Sequence, residues 1–173
     1  MDWSRIVRNL RAGPVSEPAP PAPPETVGAL AEQLEAAART RLGRSLAIFH
    51  VNAGSCGGCE LELSALDGVL YDLSRFALRF ASSPRAADIL LVTGPLTRNL
   101  REALERSWEV TPDPKWVVAV GDCAVDGGVF KGAYGCLGGI GAAIPIDLVI
   151  PGCPPPPQQI LSGLRAVLEV NRR

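Results

Sequence analysis

Charge is nearly balanced in this chain, with 17 lysines and arginines against 18 aspartates and glutamates. The resulting net charge of -1 gives no electrostatic case for nucleic acid, where affinity rests on neutralising phosphates. No apolar run reaches the ~18 residues that a membrane-spanning helix needs. The opening Met1-Asp-Trp-Ser-Arg-Ile-Val-Arg-Asn-Leu-Arg11 lacks the uninterrupted apolar core of a secretory signal, which places the expected location in the cytoplasm. An obvious nucleophile, a general-base pair and a nucleotide-binding loop are also missing. The cluster Gly138-Gly-Ile-Gly141 reads as a mobile loop rather than a phosphate cradle. There is one histidine, His50, and it falls inside an apolar run, so it reads as a core or interface residue rather than a ligand. What the chain does have is five cysteines. In a reducing compartment they read as metal or redox ligands, not as a disulfide framework.

At 173 residues and 47% hydrophobic, the chain suits one domain with modest extensions. Residues 1–44 read as an N-terminal extension. Trp3, Ile6, Val7 and Leu10 lie at helical spacing, Pro14 to Pro24 predicts an extended linker, and Thr26 to Leu42 predicts a second helix stopped by Gly43. Residues 45–173 alternate short apolar runs with helical stretches. Strands are predicted at Leu46–Val51, Phe76–Phe80, Asp88–Thr93, Trp116–Val120 and Ile146–Ile150. Helices are predicted at Glu60–Tyr71, Thr97–Trp108 and Gln158–Val170, with Asp126 to Gly141 as loop and short turns. This rhythm predicts an open α/β sheet of parallel strands joined by crossover helices. Ligands of such sheets bind outside the carboxyl ends of the strands.

Cys56 and Cys59, in the loop Ser55-Cys-Gly-Gly-Cys59, follow the first predicted strand. Cys123 and Cys153 each follow another. If those strands are parallel, four thiols meet at one sheet edge, as an iron–sulfur site with four thiolate ligands requires. Gly57 and Gly58 keep side chains away from the metal and leave N–H groups free for sulfur. Cys153 precedes Pro154, as in bacterial cluster motifs that end in Cys-Pro. Three other readings stay open. A Cys-x-x-Cys beside an α/β pattern also suits a thioredoxin-like redox pair, which leaves Cys123 and Cys153 unexplained. A four-cysteine zinc module is possible, although such modules usually show paired knuckles. Some of the thiols could be plain core residues, and Cys136 is read that way. Glu60 reads as an acid at a helix start. Glu62 reads either as a residue near the metal or as part of a solvated face.

The segments Asn52-Ala-Gly-Ser-Cys-Gly-Gly-Cys-Glu-Leu-Glu62, Ser83 to Arg98, Gly121-Asp-Cys-Ala-Val-Asp-Gly-Gly128 and Pro151-Gly-Cys-Pro-Pro155 resemble the small electron-transfer subunit of energy-converting, group 4 NiFe hydrogenases. The 20 kDa subunit of respiratory complex I belongs to the same superfamily. The resemblance covers about residues 45–170. It implies a flavodoxin-like α/β fold and one 4Fe–4S cluster held by Cys56, Cys59, Cys123 and Cys153. Complex I subunits carry adjacent cysteines, whereas Gly58 precedes Cys59 here, so the hydrogenase branch is favoured. Group 1 small subunits carry a glutamate two places after the second cysteine, where this chain has Leu61. They also carry an export signal and further clusters. The resemblance further implies a large subunit with the NiFe site, a ferredoxin-like iron–sulfur subunit and membrane ion-translocating subunits. Through these the chain would sit peripherally on the cytoplasmic face of the membrane. It would be an oxidoreductase subunit, not catalytic alone, with Glu62 as a proton relay at the subunit interface. A complex I-like quinone reductase subunit is the alternative within the class; a zinc-stabilised interaction module is the alternative outside it.

Overall fold

The computed structural model of the chain describes residues 27–69, 71–76 and 78–170. The helix expected over residues 2–11 and the proline-rich linker lie outside the described residues. Five strands form one sheet: β1 (Leu46–Asn52), β2 (Leu78–Phe80), β3 (Ile89–Thr93), β4 (Trp116–Val120) and β5 (Leu148–Ile150). All pairings are parallel, and the spatial order is β2-β1-β3-β4-β5. Parallel strands demand crossovers, and the helices supply both faces with cover. Every residue of β3 and β4 is buried. Such two-sided burial explains why Ile89-Leu-Leu-Val and Trp116-Val-Val-Ala-Val are continuous apolar runs rather than alternating ones.

Alternate side chains of each strand enter two separate cores. Ile48, Ile89, Leu91, Val118 and Val120 face the helices α1 (Val27–Leu42), α2 (Gly58–Leu66) and α5 (Pro157–Val170). Leu90, Val92, Val117 and Ala119 face Leu104 of α3 (Arg101–Val110), Ala124 of α4 (Asp122–Asp126) and the segment carrying Ile140 and Ile144. The helix expected over 26–42 spans Val27–Leu42, and its Leu30, Ala31, Leu34 and Ala38 lie in the first core. Its last turn is pinned twice by Arg41, which stands 4.7 Å above the Trp116 ring and donates to the Leu168 carbonyl at 2.9 Å.

Some boundaries move for local reasons. The helix expected to reach Tyr71 ends at Leu66, where Asp67 caps it and Gly68 folds its N–H back to the Ala65 carbonyl. The helix expected from Thr97 starts at Arg101, because Thr97 is engaged with Ala53 through both its N–H and its hydroxyl. The last strand is shorter than Ile146–Ile150. Asp147 turns its carboxylate onto the Val117 N–H at 2.7 Å, and pairing starts at Leu148.

One buried acid joins the sheet at its amino end. Asp88 accepts the Ala47 N–H at 2.9 Å and is gripped by both terminal nitrogens of Arg44 at 3.0 and 2.6 Å. The Asp88 side chain is 5% exposed while that of Arg44 is 56% exposed, so the two ends of this pair differ in worth. Asp88→Ala strands a buried N–H and is expected to cost about 1–3 kcal/mol. Arg44→Ala removes a half-solvated partner and is expected to cost no more than about 1 kcal/mol. Thermal unfolding midpoints of the two variants check this order; equal shifts would refute it.

Candidate functional site

Order β2-β1-β3-β4-β5 places a topological switch between β1 and β3, where connections leave in opposite directions and a cleft opens at the carboxyl edge. The cysteine loop 53–57 leaves β1 at that edge. Asn52, the last residue of β1, shapes it: its Oδ1 accepts the N–H groups of Gly54 at 2.7 Å and Ser55 at 2.9 Å. The loop then enters α2, whose first turn carries Cys59 and Glu60.

Pairing between the last two strands continues beyond their ends. The Gly121 N–H donates to the Ile150 carbonyl, the Asp122 N–H to the Gly152 carbonyl, and the Gly152 N–H to Asp122 Oδ1, all within 2.8–2.9 Å. This zipper holds the Cys123 and Cys153 segments side by side. Cys123 sits in the one-turn helix α4, which ends at Asp126 where the expected loop begins.

Cys56, Cys59, Cys123 and Cys153 therefore stand together, each close enough to affect the ionisation of another. Cys59 and Cys123 are buried, whereas Cys56 and Cys153 are exposed. Burial pushes the Cys59 thiol up to about 11, and negative charge on Glu60 and the other three cysteines adds to it. Burial likewise raises Cys123, against a hydrogen bond from the Val129 backbone that favours its thiolate. Two buried thiols held in their protonated form beside two further sulfurs are what a multiply charged metal group would relieve. Among the described residues, no three His, Cys, Asp or Glu side chains gather closely enough to hold a single metal ion. Two glycines show how closely the backbone wraps these sulfurs. A Cβ at Gly121 would lie 2.6 Å from Cys59 Sγ, and one at Gly128 would lie 2.8 Å from Cys123 Sγ. The donor set and its cradle fit an iron–sulfur cluster, and these four thiols could hold it.

Cys136 stands apart from this set. Its sulfur accepts the Gly138 N–H at 3.4 Å, and its backbone bridges to Thr97. Glu62 is half-buried on α2, one position past the exposed Leu61. The acid drawn into the site is Glu60. Its Oε1 accepts the Ser55 hydroxyl and, at 2.6 Å, the Thr93 hydroxyl, while Thr93 Oγ1 lies 2.9 Å from His50 Nε2. Burial raises the Glu60 carboxyl, but the hydrogen bonds from Ser55 and Thr93 outweigh it and leave the group below its ordinary value. Burial holds His50 below its ordinary value, opposed by the charge of Glu60. The sequence alone reads Glu60 as an acid at a helix start and His50 as a core or interface residue. Only the register, which sets His50 beside Leu91 and Thr93 beside Asn52 across β1 and β3, joins them.

An all-parallel sheet of this order, with thiols gathered at its carboxyl edge, defines an α/β subunit of the flavodoxin-like kind. A chain of the membrane-bound sulfane sulfur reductase, an archaeal respiratory membrane complex, shares this fold with a TM-score of 0.66 and 34% identity over 80% of this chain and 75% of that one. The chain belongs to the family described as NADH ubiquinone oxidoreductase, 20 Kd subunit, whose pattern matches residues 56–167. A probable membrane-bound hydrogenase subunit of Pyrococcus furiosus is 46% identical over 128 residues, covering 74% of this chain and 77% of that protein. Formate hydrogenlyase subunit 7 of Escherichia coli is 39% identical over 145 residues, or 84% of this chain and 57% of that protein. An NADH-quinone oxidoreductase subunit from Bacteroides thetaiotaomicron is 44% identical, over 70% of this chain and 62% of its own length. The chain thus spans little more than half of the last two relatives. The family consists of electron-transfer subunits of oxidoreductase complexes. No helix among the described residues is long and apolar enough to cross a membrane.

Proposed function

We propose that the chain is the electron-transfer small subunit of an energy-converting, membrane-associated NiFe hydrogenase of the formate hydrogenlyase kind. One 4Fe–4S cluster would be held by Cys56, Cys59, Cys123 and Cys153. The observation that carries this reading is the meeting of four thiols from three separated segments at one sheet edge, two of them exposed. The cluster supplies one-electron transfer when bound. The chain's own residues do the rest: Gly121 and Gly128 admit the sulfurs, and Val129 directs a backbone hydrogen bond at Cys123. Exposed Leu61 on α2, with Val129 and Tyr134 in the segment after α4, adds apolar surface suited to docking a large subunit that bears the NiFe site. A ferredoxin-like subunit and membrane ion-translocating subunits complete the proposed complex, which would hold the chain on the cytoplasmic face. The spacing Cys56-Gly-Gly-Cys59 favours this branch over a quinone-reducing, complex I-like one, whose subunits have adjacent cysteines. The zinc module is less well supported, since such modules usually pair two Cys-x-x-Cys knuckles, whereas Cys123 and Cys153 are single and far apart in the sequence.

Anaerobically purified protein is expected to be brown, with broad visible absorption from sulfur-to-iron charge transfer and iron matched by sulfide. Colourless protein that contains zinc would overturn the reading. Glu62 is proposed as a proton relay at the subunit interface. Glu62→Gln keeps the side chain's size but cannot carry a proton. It is expected to cut hydrogen turnover at least tenfold while the cluster's electron paramagnetic resonance signal stays normal. An active, cluster-replete Glu62→Gln enzyme would end that assignment.

A further inference from the structure

We propose that Glu60 is a positioning residue: it ties the Cys56–Cys59 loop to the sheet through Ser55, Thr93 and His50, and it holds a fixed negative charge beside the cluster that lowers the cluster's reduction potential. The inference rests on the iron–sulfur reading above and concerns residues which that reading does not use.

The geometry fixes each donor in turn. A carboxylate only accepts, so the hydroxyls of Ser55 and Thr93 both donate to Glu60 Oε1. The single hydroxyl proton of Thr93 is then engaged, and the 2.9 Å contact with His50 must be an Nε2–H donating to Thr93 Oγ1. On the other side, Ser55 Oγ accepts the Gly57 N–H at 3.1 Å, inside the Cys-x-x-Cys loop itself. Two runs of donated hydrogen bonds therefore converge on Glu60 Oε1, one from His50 and Thr93 on β1 and β3, the other from the Gly57 N–H through Ser55.

An acid placed only to complement a helix start would face solvent. Glu60 instead folds back onto two hydroxyls from other segments, and its second oxygen, Oε2, is buried without a partner. Water screens that oxygen poorly, so the charge acts on its neighbours through a medium of low effective dielectric. Reduction adds one electron to a cluster, and a carboxylate held nearby opposes the added negative charge. Net charge and hydrogen bonds to the ligand loop are among the main settings of an iron–sulfur potential.

The test uses the anaerobically purified full chain, with iron content, a dithionite-coupled redox titration and the paramagnetic signal of the reduced cluster as readouts. Glu60→Gln keeps the shape and removes the charge. It is expected to retain wild-type iron and to shift the one-electron equilibrium about tenfold towards the reduced form, a rise of ~59 mV. Thr93→Val removes the anchoring hydroxyl without touching the loop, and should alter the line shape of the reduced cluster. Thr93→Ser restores the hydroxyl and should restore the wild-type spectrum. Glu102→Gln, on the exposed side of α3, should change none of the three readouts. An iron-replete Glu60→Gln with the wild-type midpoint would refute the charge effect. Thr93→Val and Thr93→Ser both matching wild type would refute the tie to the sheet, and this pair decides should Glu60→Gln lose iron. Wild-type protein without an iron–sulfur signal would instead bring down the iron–sulfur reading itself, and this inference with it.

Discussion

Cys123→Ala is expected to lose most of the iron and the visible absorption, while Cys136→Ala keeps both. The two cysteines lie close together in the chain, and sequence distance alone hardly separates them. Their surroundings do. Cys123 is buried among elements that carry Cys56, Cys59 and Cys153, and the Val129 backbone points a hydrogen bond at its sulfur. Cys136 is half-buried, and its sulfur is occupied by the Gly138 N–H. Removing one thiolate of four opens an iron site to solvent and oxidant, so a cluster of three ligands should degrade on handling in air. Iron and sulfide assays on both variants give the answer, and the reverse pattern would show that the ligand set has been misassigned.

Gly121→Ala is expected to be nearly as damaging, although none of the four proposed ligands is replaced. Gly121 has a φ of 88°, a left-handed region where any other residue is strained. Its added Cβ would also lie 2.6 Å from Cys59 Sγ and 3.3 Å from the Gly152 carbonyl oxygen. Gly43 isolates the first effect from the second. It has a φ of 67° but nothing within 4 Å of the added carbon. Gly43→Ala should therefore cost only about 1–2 kcal/mol in stability and leave iron content unchanged. Gly121→Ala carries greater strain, since its φ of 88° and ψ of 154° lie where essentially only glycine is found, and in addition displaces Cys59, one of the proposed ligands, so iron content should fall steeply. Equal iron in the two variants would mean that the approach of the Gly121 backbone to Cys59 has no bearing on the site.

The strands are legible in the sequence because parallel sheets bury both faces. Ile89-Leu-Leu-Val and Trp116-Val-Val-Ala-Val can hardly be anything else, and each thiol segment follows a strand end. Boundaries are less legible, since Leu66 ends α2 through a Gly68 turn that competes with a still favourable helical pattern. The helix α4 is hidden for a similar reason: five residues with glycine on both sides carry no periodicity to read. The Glu60 network is beyond reach from spacing alone. His50, Ser55, Glu60 and Thr93 come together only through the register of β1 against β3. A sequence pattern can place a residue on a strand, but register is settled by packing of the whole sheet.

The zipper between the Gly121 and Gly152 segments has a consequence for how the protein comes into being. Half of the thiol set, Cys56 and Cys59, is present once the first third of the chain has left the ribosome. The other half arrives with β4 and with β5, the last strand, which pairs with β4 alone. The pairing that brings the Cys123 and Cys153 segments side by side can form only once β5, near the end of the chain, has emerged. Until β5 docks, four reduced thiols exist with no common site, open to oxidation and to stray metal ions. Delivery of the proposed cluster would then wait on the closing of the final strand, and a substitution that slows β5 would lengthen the interval in which the nascent chain is chemically vulnerable.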